Sequence, residues 1–517
     1  MKLNYKRTIF VGFAFFLISM FWTAYDSIIP LILTNKFGMS QFWSGVIMAA
    51  DNIMAVFLLP VFGALSDKCR SKRGRRTPFI TIGATLAAVL LLTLSFAEKS
   101  QLKNITDIST IDDPAALSVI YDEQKDATLK TPEGDDFVLS EKFSKEDFTA
   151  IRSSAVNPET GKEEKNPDYV NYVTPAREAS AAKRTAESPV ALICFIALLL
   201  GVLLSMAIFR SPAVALMPDV TIKPLRSKGN AIINLMGTAG GILSLVLGIV
   251  FATSAVKNSM MSYTGFFGVI SGIMLLALAI FLCTVREPIW VKQMQEDSVR
   301  YGVEDKEEAV TEQRKLSSKE LCSLIFILLS VALWYFGYNA VTSKYSVYAT
   351  NILQKNFNTT MLMAQGAAIV AYIPAGLVAS KIGRKKTILA GVVMLCTAFT
   401  IAAFLRAGSP DILMNAMFIL AGIAWATINV NSFPMVVEMC SGGDVGKYTG
   451  FYYTASMAAQ TATPMLSGLL MEHLGMTILF PYAAIFVALA FVTMIFVMHG
   501  DNKVTAKKGL EALDVGD

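Results

Sequence analysis

Twelve runs of roughly 20 or more mostly apolar residues, each long enough to cross the hydrocarbon core of a bilayer as one helix, leave this chain little freedom of fold. They lie near 8–33, 42–66, 77–97, 189–217, 229–253 and 262–284, and again near 321–348, 360–380, 387–405, 411–437, 447–471 and 477–498. Two sets of six predict an all-α membrane protein of twelve transmembrane helices in two six-helix pseudo-symmetric bundles. Hydrophobic residues make up 54% of the chain and charged ones 16%, against about a quarter charged in soluble domains. The first run is longer than a signal-peptide core, holds Trp22, Tyr25 and Asp26 and lacks a small-residue cleavage site, so it is expected to be retained.

Charge orients the spans. Lys68, Arg70, Lys72, Arg73, Arg75 and Arg76 follow the second run, and Lys381, Arg384, Lys385 and Lys386 follow the eighth. Basic connections stay in the cytoplasm. With Lys2, Lys6, Arg7, Lys503, Lys507 and Lys508 they predict a multi-pass cell-membrane protein with both termini cytoplasmic, leaving single bases such as Lys36 on the other side. Six cysteines have no clamp or redox spacing. No metal, cofactor or nucleic-acid partner is expected, and a monomer suffices.

The expected order is helices one to three (1–97), an acidic extracytoplasmic insertion (98–188), helices four to six (189–284), a cytoplasmic linker (285–319), helices seven to twelve (320–498) and a cytoplasmic tail (499–517). The insertion carries 19 acidic and 12 basic residues. So polar a stretch buries too little apolar surface to offset chain entropy, and much of it is expected to be flexible, with short apolar stretches at 115–120 and 137–139 leaving room for a small ordered subdomain.

The halves repeat in residues as well as in helix number. Phe21-Trp22-Thr23-Ala24-Tyr25-Asp26 in the first span answers to Trp334-Tyr335-Phe336-Gly337-Tyr338-Asn339 in the seventh. Gly63-Ala64-Leu65-Ser66-Asp67-Lys68, closing on Gly74-Arg75-Arg76, answers to Gly376-Leu377-Val378-Ala379-Ser380-Lys381, closing on Gly383-Arg384-Lys385-Lys386. This pattern resembles the loop signature of the major facilitator superfamily, in which a glycine, an acid, a base and then Gly-Arg-Arg or Gly-Arg-Lys join helices two and three. In detail, the 66–80 loop, Thr284-Val285-Arg286-Glu287-Pro288, Gly422-Ile423-Ala424-Trp425-Ala426 with Asn429-Val430-Asn431, and Tyr448-Thr449-Gly450 with Tyr452-Tyr453 look like the sucrose transporters and the wider glycoside, pentoside and hexuronide cation symporters. The resemblance implies that the basic clusters act as a cytoplasmic gate latching the halves. Gly63, Asp67, Gly74, Arg75, Arg76 and Asp219 would serve it in the first half, and Gly376, Gly383, Arg384, Lys385 and Glu438 in the second. The alternatives are plain topological charges and, for Asp219 and Glu438, solvent-facing helix ends.

An ionisable group within a span is costly enough that it normally faces a polar cavity. Asp26 and Asp51 stand at similar depth, and Arg210 interrupts the fourth span. Two carboxylates at one level suit a bound cation or a shared proton, with Arg210 as counter-ion to a carboxylate or as a donor to sugar hydroxyls; structural polar contacts and snorkelling are the plainer readings. Plant sucrose transporters carry an acid on helix four where Leu203 stands here and an arginine where Val214 stands, which shifts coupling onto Asp26 or Asp51. Lys344, near the end of the seventh span, is expected to snorkel to the headgroups. A sugar offers hydroxyls around apolar ring faces, so its site needs hydrogen-bonding groups beside flat aromatics. Trp22, Tyr25, Tyr338, Asn339, Trp425, Asn429, Asn431, Tyr452 and Gln460 supply both. Cation-coupled sugar or glycoside symport by alternating access is the leading expectation. A metabolite or drug exporter of the same superfamily is the second, a membrane sensor using the insertion the third, and no catalytic constellation suggests an enzyme.

Overall fold

Helix boundaries follow local chemistry. Asn4 and Ser40 accept the backbone N–H groups of Arg7 and Trp43, opening α1 (Tyr5–Asn35) and α2 (Gln41–Lys68), as side chains at helix N-termini do. The computed structural model describes residues 3–105, 111–156, 163–222, 225–255, 260–302, 317–439 and 445–500. The tail beyond residue 500, linker residues 303–316 and Cys440 lie outside it. The first half continues with α3 (Thr77–Ile105), α4 (Val190–Val220), α5 (Arg226–Val250) and α6 (Thr264–Thr284). A Ser317–Glu320 capping box opens α7 (Ser318–Tyr348), followed by α8 (Phe357–Ile382), α9 (Arg384–Ala402), α10 (Asp411–Val437), α11 (Val445–Leu474) and α12 (Leu479–Ile495). Among the described residues, 11 helices are long and apolar enough to cross a membrane. The other long helix, α11, is equally long but carries Thr454, Ser456, Gln460, Thr461 and Thr463 in its course.

Packing repeats with the sequence. In the first half α1 packs on α5, α3 on α4 and α6, and α2 on α4; in the second, α7 packs on α11, α9 on α10 and α12, and α8 on α10. The halves meet through α1–α7, α2–α11 and α5–α8, the last two being equivalent under the repeat. Gly45 of α2 lies against the Pro464 carbonyl of α11, and Gly468 against the Gln41 carbonyl, with no space for a Cβ at either. The side-chain bonds across this junction sit at the end of the bundle that carries the inserted segment, here the insert face. Lys344 Nζ donates to the Gln41 carbonyl at 2.7 Å, Phe42 N–H to Glu472 at 3.2 Å, and Asn358 Nδ2 to Thr253 Oγ1 at 3.0 Å.

One sequence expectation is corrected here. Lys344 does not snorkel: it is fully buried between the halves. Lys36, read from sequence only for its side of the membrane, is buried too. It is buried against Glu98 in an ion pair, donates to the Met261 carbonyl at 2.5 Å and lies 4.5 Å over the Tyr263 ring. In each case a charge buried at a helix end found a partner from a distant span, which short-range reading cannot supply.

The insertion is folded where it is described. Helix Pro114–Gln124 and helix Thr174–Glu187 flank two antiparallel hairpins, Thr128–Lys130 with Asp136–Val138 and Ser154–Val156 with Glu163–Lys165. Leu117, Ile120 and Tyr121, on one face of a helix, pack with Phe137, Leu139, Phe148 and Tyr169. Acidic residues dominate by number, yet these few apolar side chains converge on a core, so the small ordered subdomain replaces the expected flexibility.

Glu178 on helix Thr174–Glu187 is an exception: the residue is half-buried and one of its carboxyl oxygens is shielded from solvent. Its Oε1 has no hydrogen-bond partner among the described residues, and burial pushes its carboxyl up to about 7. A carboxyl raised in the folded chain favours folding below the unfolded value of 4.5, and that favour is lost as pH rises through 7. Glu178→Gln is therefore expected to stabilise the protein little at pH 5 and by up to about 3 kcal/mol at pH 8. Thermal melts at both pH values check this; an equal gap at each would mean that Glu178 is not held neutral.

Candidate functional site

The two halves enclose a cavity of about 550 Å³ at mid-height, joined to a side chamber of about 210 Å³. From the first half, α1 contributes Trp22, Thr23 and Asp26, α4 contributes Arg210, and α5 contributes Asn234 and Thr238. From the second come Tyr338 of α7, Gln365 and Tyr372 of α8, and Trp425 and Asn429 of α10. Asp26, Asp51, Asn52 and Arg210 line the side chamber opposite Asn339, Ser343 and Gln460. Among the described residues, the first half thus brings every carboxyl and guanidinium group that lines either space, and the second brings amides, hydroxyls and rings.

Geometry within the site is specific. Tyr338 and Trp425 stack with centroids 3.6 Å apart and planes 5° off parallel, giving one flat aromatic wall. Arg210 stands 5.9 Å over the Trp22 ring. Trp22 Nε1 and Asn339 Nδ2 are buried donors with no partner among the described residues. Such donors carry a desolvation cost that a bound hydroxyl or carbonyl would remove. Asp51 accepts a bond from Asn52 Nδ2 at 3.0 Å.

Of the residues singled out from sequence, Trp22, Asp26, Asp51, Arg210, Tyr338, Asn339, Trp425, Asn429 and Gln460 line these two spaces. Three do not. Tyr25 is buried behind Trp22, edge-on at 5.4 Å. Asn431 spends its amide on the Thr427 carbonyl of its own helix at 2.9 Å, and the Tyr452 hydroxyl bonds Ser432 at 3.0 Å. Sequence reasoning passed over Asn234, Gln365 and Asn52. The first two are amides in mid-span, which the rule applied to Asp26 would have flagged had it been extended from charges to amides.

The basic clusters sit at the opposite, termini face. Arg75 grips Asp219 with Nη2 at 2.6 Å and Nε at 3.1 Å; Arg76 adds Nε at 2.9 Å and reaches Asp67 at 2.5 Å. Glu287 accepts the backbone N–H groups of Arg75, Arg76 and Thr77 at 2.8, 2.9 and 2.8 Å and the Thr77 hydroxyl at 2.7 Å. Gly74, at φ +110°, packs directly on that carboxylate, where a side chain would collide. Gly63 lies against Ser211 of α4; Gly376 falls within α8, and Gly383, at φ +94°, ends that helix. In the second half Arg384 pairs with Glu438, and Lys385 donates to the Ile495 and Val497 carbonyls at 2.8 and 2.6 Å. These bonds run within each half, tying α2, α3 and α4 together and α9 to α10 and α12, where a latch between halves was expected. Glu287 went unassigned in the sequence reading although it stands in the Arg286-Glu287-Pro288 motif.

Residues 346–513 match the family model described as Major Facilitator Superfamily, and residues 10–103 the one described as MFS/sugar transport protein. The MFS-type transporter ppzB of Metarhizium rileyi is 28% identical over 124 residues, 24% of this chain and 25% of that protein. The sucrose transport protein SUC4 of Arabidopsis thaliana is 34% identical over 63 residues, 12% of each chain. The matched stretches thus span about a quarter or less of these relatives' length. The xylose transporter XylE from E. coli, in its inward-open conformation, superposes with a TM-score of 0.56 over 98% of both chains at 15% identity, a likeness of fold alone.

Proposed function

We propose, from the premise that the chain belongs to the major facilitator superfamily, that it couples a proton or sodium ion to the transport of a sugar or glycoside by alternating access. One observation carries this reading: a shared cavity faced by carboxylates and the unpaired Trp22 indole N–H from one half and by stacked aromatics and the unpaired Asn339 amide from the other. Asp26 and Asp51 hold the cation with Arg210 as counter-ion. Trp22, Tyr338, Asn339, Trp425, Asn429 and Gln460 hold the solute. The match of residues 10–103 to a sugar-transport family supports the solute class. The protein works as a monomer in the cell membrane with its termini and basic loops in the cytoplasm, as the positive-inside rule requires. The paired clusters around Asp219 and Glu438 brace each half as it rocks.

Uptake by proteoliposomes across a panel of sugars, with proton and sodium gradients imposed separately, tests the reading. Sugar-dependent movement of one of these ions is expected. Its absence across the panel would transfer the assignment to an exporter of another metabolite. Within an active system, Trp425→Ala removes one face of the aromatic wall and is expected to weaken apparent solute affinity by about tenfold, since a buried aromatic contact is worth about 0.5–1.5 kcal/mol beyond its area. A half-saturation value unchanged from the parent would take Trp425 out of the site.

A further inference from the structure

The folded insertion touches both halves. Helix Thr174–Glu187 seats it on the first: Gln101 of α3 donates to the Thr185 hydroxyl at 2.8 Å, and Gly38, just after α1, lies against that helix's backbone with no room for a Cβ. From this base the hairpin of Thr128–Lys130 and Asp136–Val138 extends to the second half. Its turn is braced internally, with Thr131 N–H donating to the Asp135 carbonyl and Gly134 N–H to the Thr131 carbonyl, both at 2.9 Å. At the tip the Pro132 carbonyl accepts Met476 N–H at 2.8 Å, and the Glu133 carboxylate lies 3.3 Å from Arg406 Nε. Gly134 and Gly475, at φ +106° and +86°, meet backbone to backbone, and a Cβ on Gly475 would strike the Glu133 carbonyl. Arg406 is pre-positioned by the Ala403 and Leu405 carbonyls, each at 2.8 Å.

We propose that the insertion is a clasp between the halves: its Pro132-Glu133-Gly134 turn, docked on Arg406 and the Gly475-Met476 corner, holds the insert face shut and leaves that dock whenever the halves part there. The inference rests on alternating access by this chain. The hairpin's base travels with the first half and its dock with the second, so a parting of even a few ångströms breaks bonds that need 2.8 to 3.3 Å. The dock is also weak enough to reopen. One backbone bond and one half-exposed ion pair bias an equilibrium by about three- to thirtyfold.

The test uses the full chain in lipid nanodiscs, its native cysteines replaced, with spin labels at Val190 and Ile412. Both are exposed, at the insert-face ends of α4 and α10. Pulsed electron–electron distance measurements then read the separation of the halves directly. Glu133→Arg, facing Arg406, is expected to raise the long-distance population by about three- to tenfold, an ion pair's worth replaced by repulsion, and Glu133→Arg with Arg406→Glu to return it to the parental level. An unchanged distribution in the single variant, or no recovery in the double, would overturn the clasp. If the distances respond as expected while no sugar in the uptake panel is moved, the sugar assignment falls and the clasp stands.

Discussion

Asp26→Asn in proteoliposomes is expected to lose cation-driven accumulation of solute, down to the level of protein-free vesicles, while exchange of solute at equal concentrations on both sides persists. Trp22, Asp26, Arg210 and Thr342 line both the main cavity and the side chamber, and Asp26 is the one carboxylate among them, so it is the acid through which a cation in the chamber and a solute in the cavity would share a wall. Asparagine keeps the size and the hydrogen-bonding edges but cannot offset a cation's charge. A hydrogen bond to a charged group contributes about 1.5–3 kcal/mol, which amounts to roughly ten- to hundredfold in cation affinity. Asp51 lines only the side chamber and bonds to Asn52. Asp51→Asn is accordingly expected to lower cation affinity without abolishing accumulation. Concentrative uptake at the parental rate by the Asp26 variant would remove that residue from coupling. Loss of exchange together with accumulation would place it in solute binding instead.

The helices were legible because their signal is local: each span is a run of apolar residues, and the repeat placed Trp22 against Tyr335 and Asp26 against Asn339 before any contact was known. The cavity was legible to the extent that polar residues inside spans are rare, and Asp26, Asp51, Arg210, Asn339, Asn429 and Gln460 converge on it. The signal failed where polarity has a second outlet. Asn431 and Tyr452 satisfy their side chains on Thr427 and Ser432, within or next to their own helix, and sequence position cannot distinguish that from a side chain held for a ligand. It failed again where the partner lies far along the chain. Lys344, expected to snorkel, meets the Gln41 carbonyl, and Lys36, read only for its side of the membrane, meets Glu98, so both charges are buried ties. The insertion was misjudged because its composition is an average, whereas a core of Leu117, Phe137, Phe148 and Tyr169 depends on which few residues face inward.

Replacing Glu287 should cost more stability than any other single change in the termini-face cluster. Its carboxylate is buried, and it serves as the cap of α3 supplied from 210 residues away: three consecutive backbone N–H groups and one hydroxyl converge on its two oxygens. Nothing in the loop itself can take over, because Gly74 and the arginines are held in place around that same carboxylate, with both guanidinium groups committed to Asp219 and that of Arg76 also to Asp67. The negative charge also lies at the N-terminus of α3, where the helix dipole favours it. Glu287→Ala strands these donors out of water, at about 1–3 kcal/mol for each one left unmade, and a total near 3–5 kcal/mol is expected, since relaxation of the loop recovers part of the loss. Glu287→Gln keeps one carbonyl acceptor and should fall between alanine and the parent. Thermal melts followed by circular dichroism in detergent, together with the monodisperse yield on size exclusion, read the order parent, glutamine, alanine. If alanine melts with the parent, the arginines are held by Asp219 alone and α3 is capped by water. If glutamine melts with the parent, the carboxylate acts through its shape and its charge contributes nothing measurable.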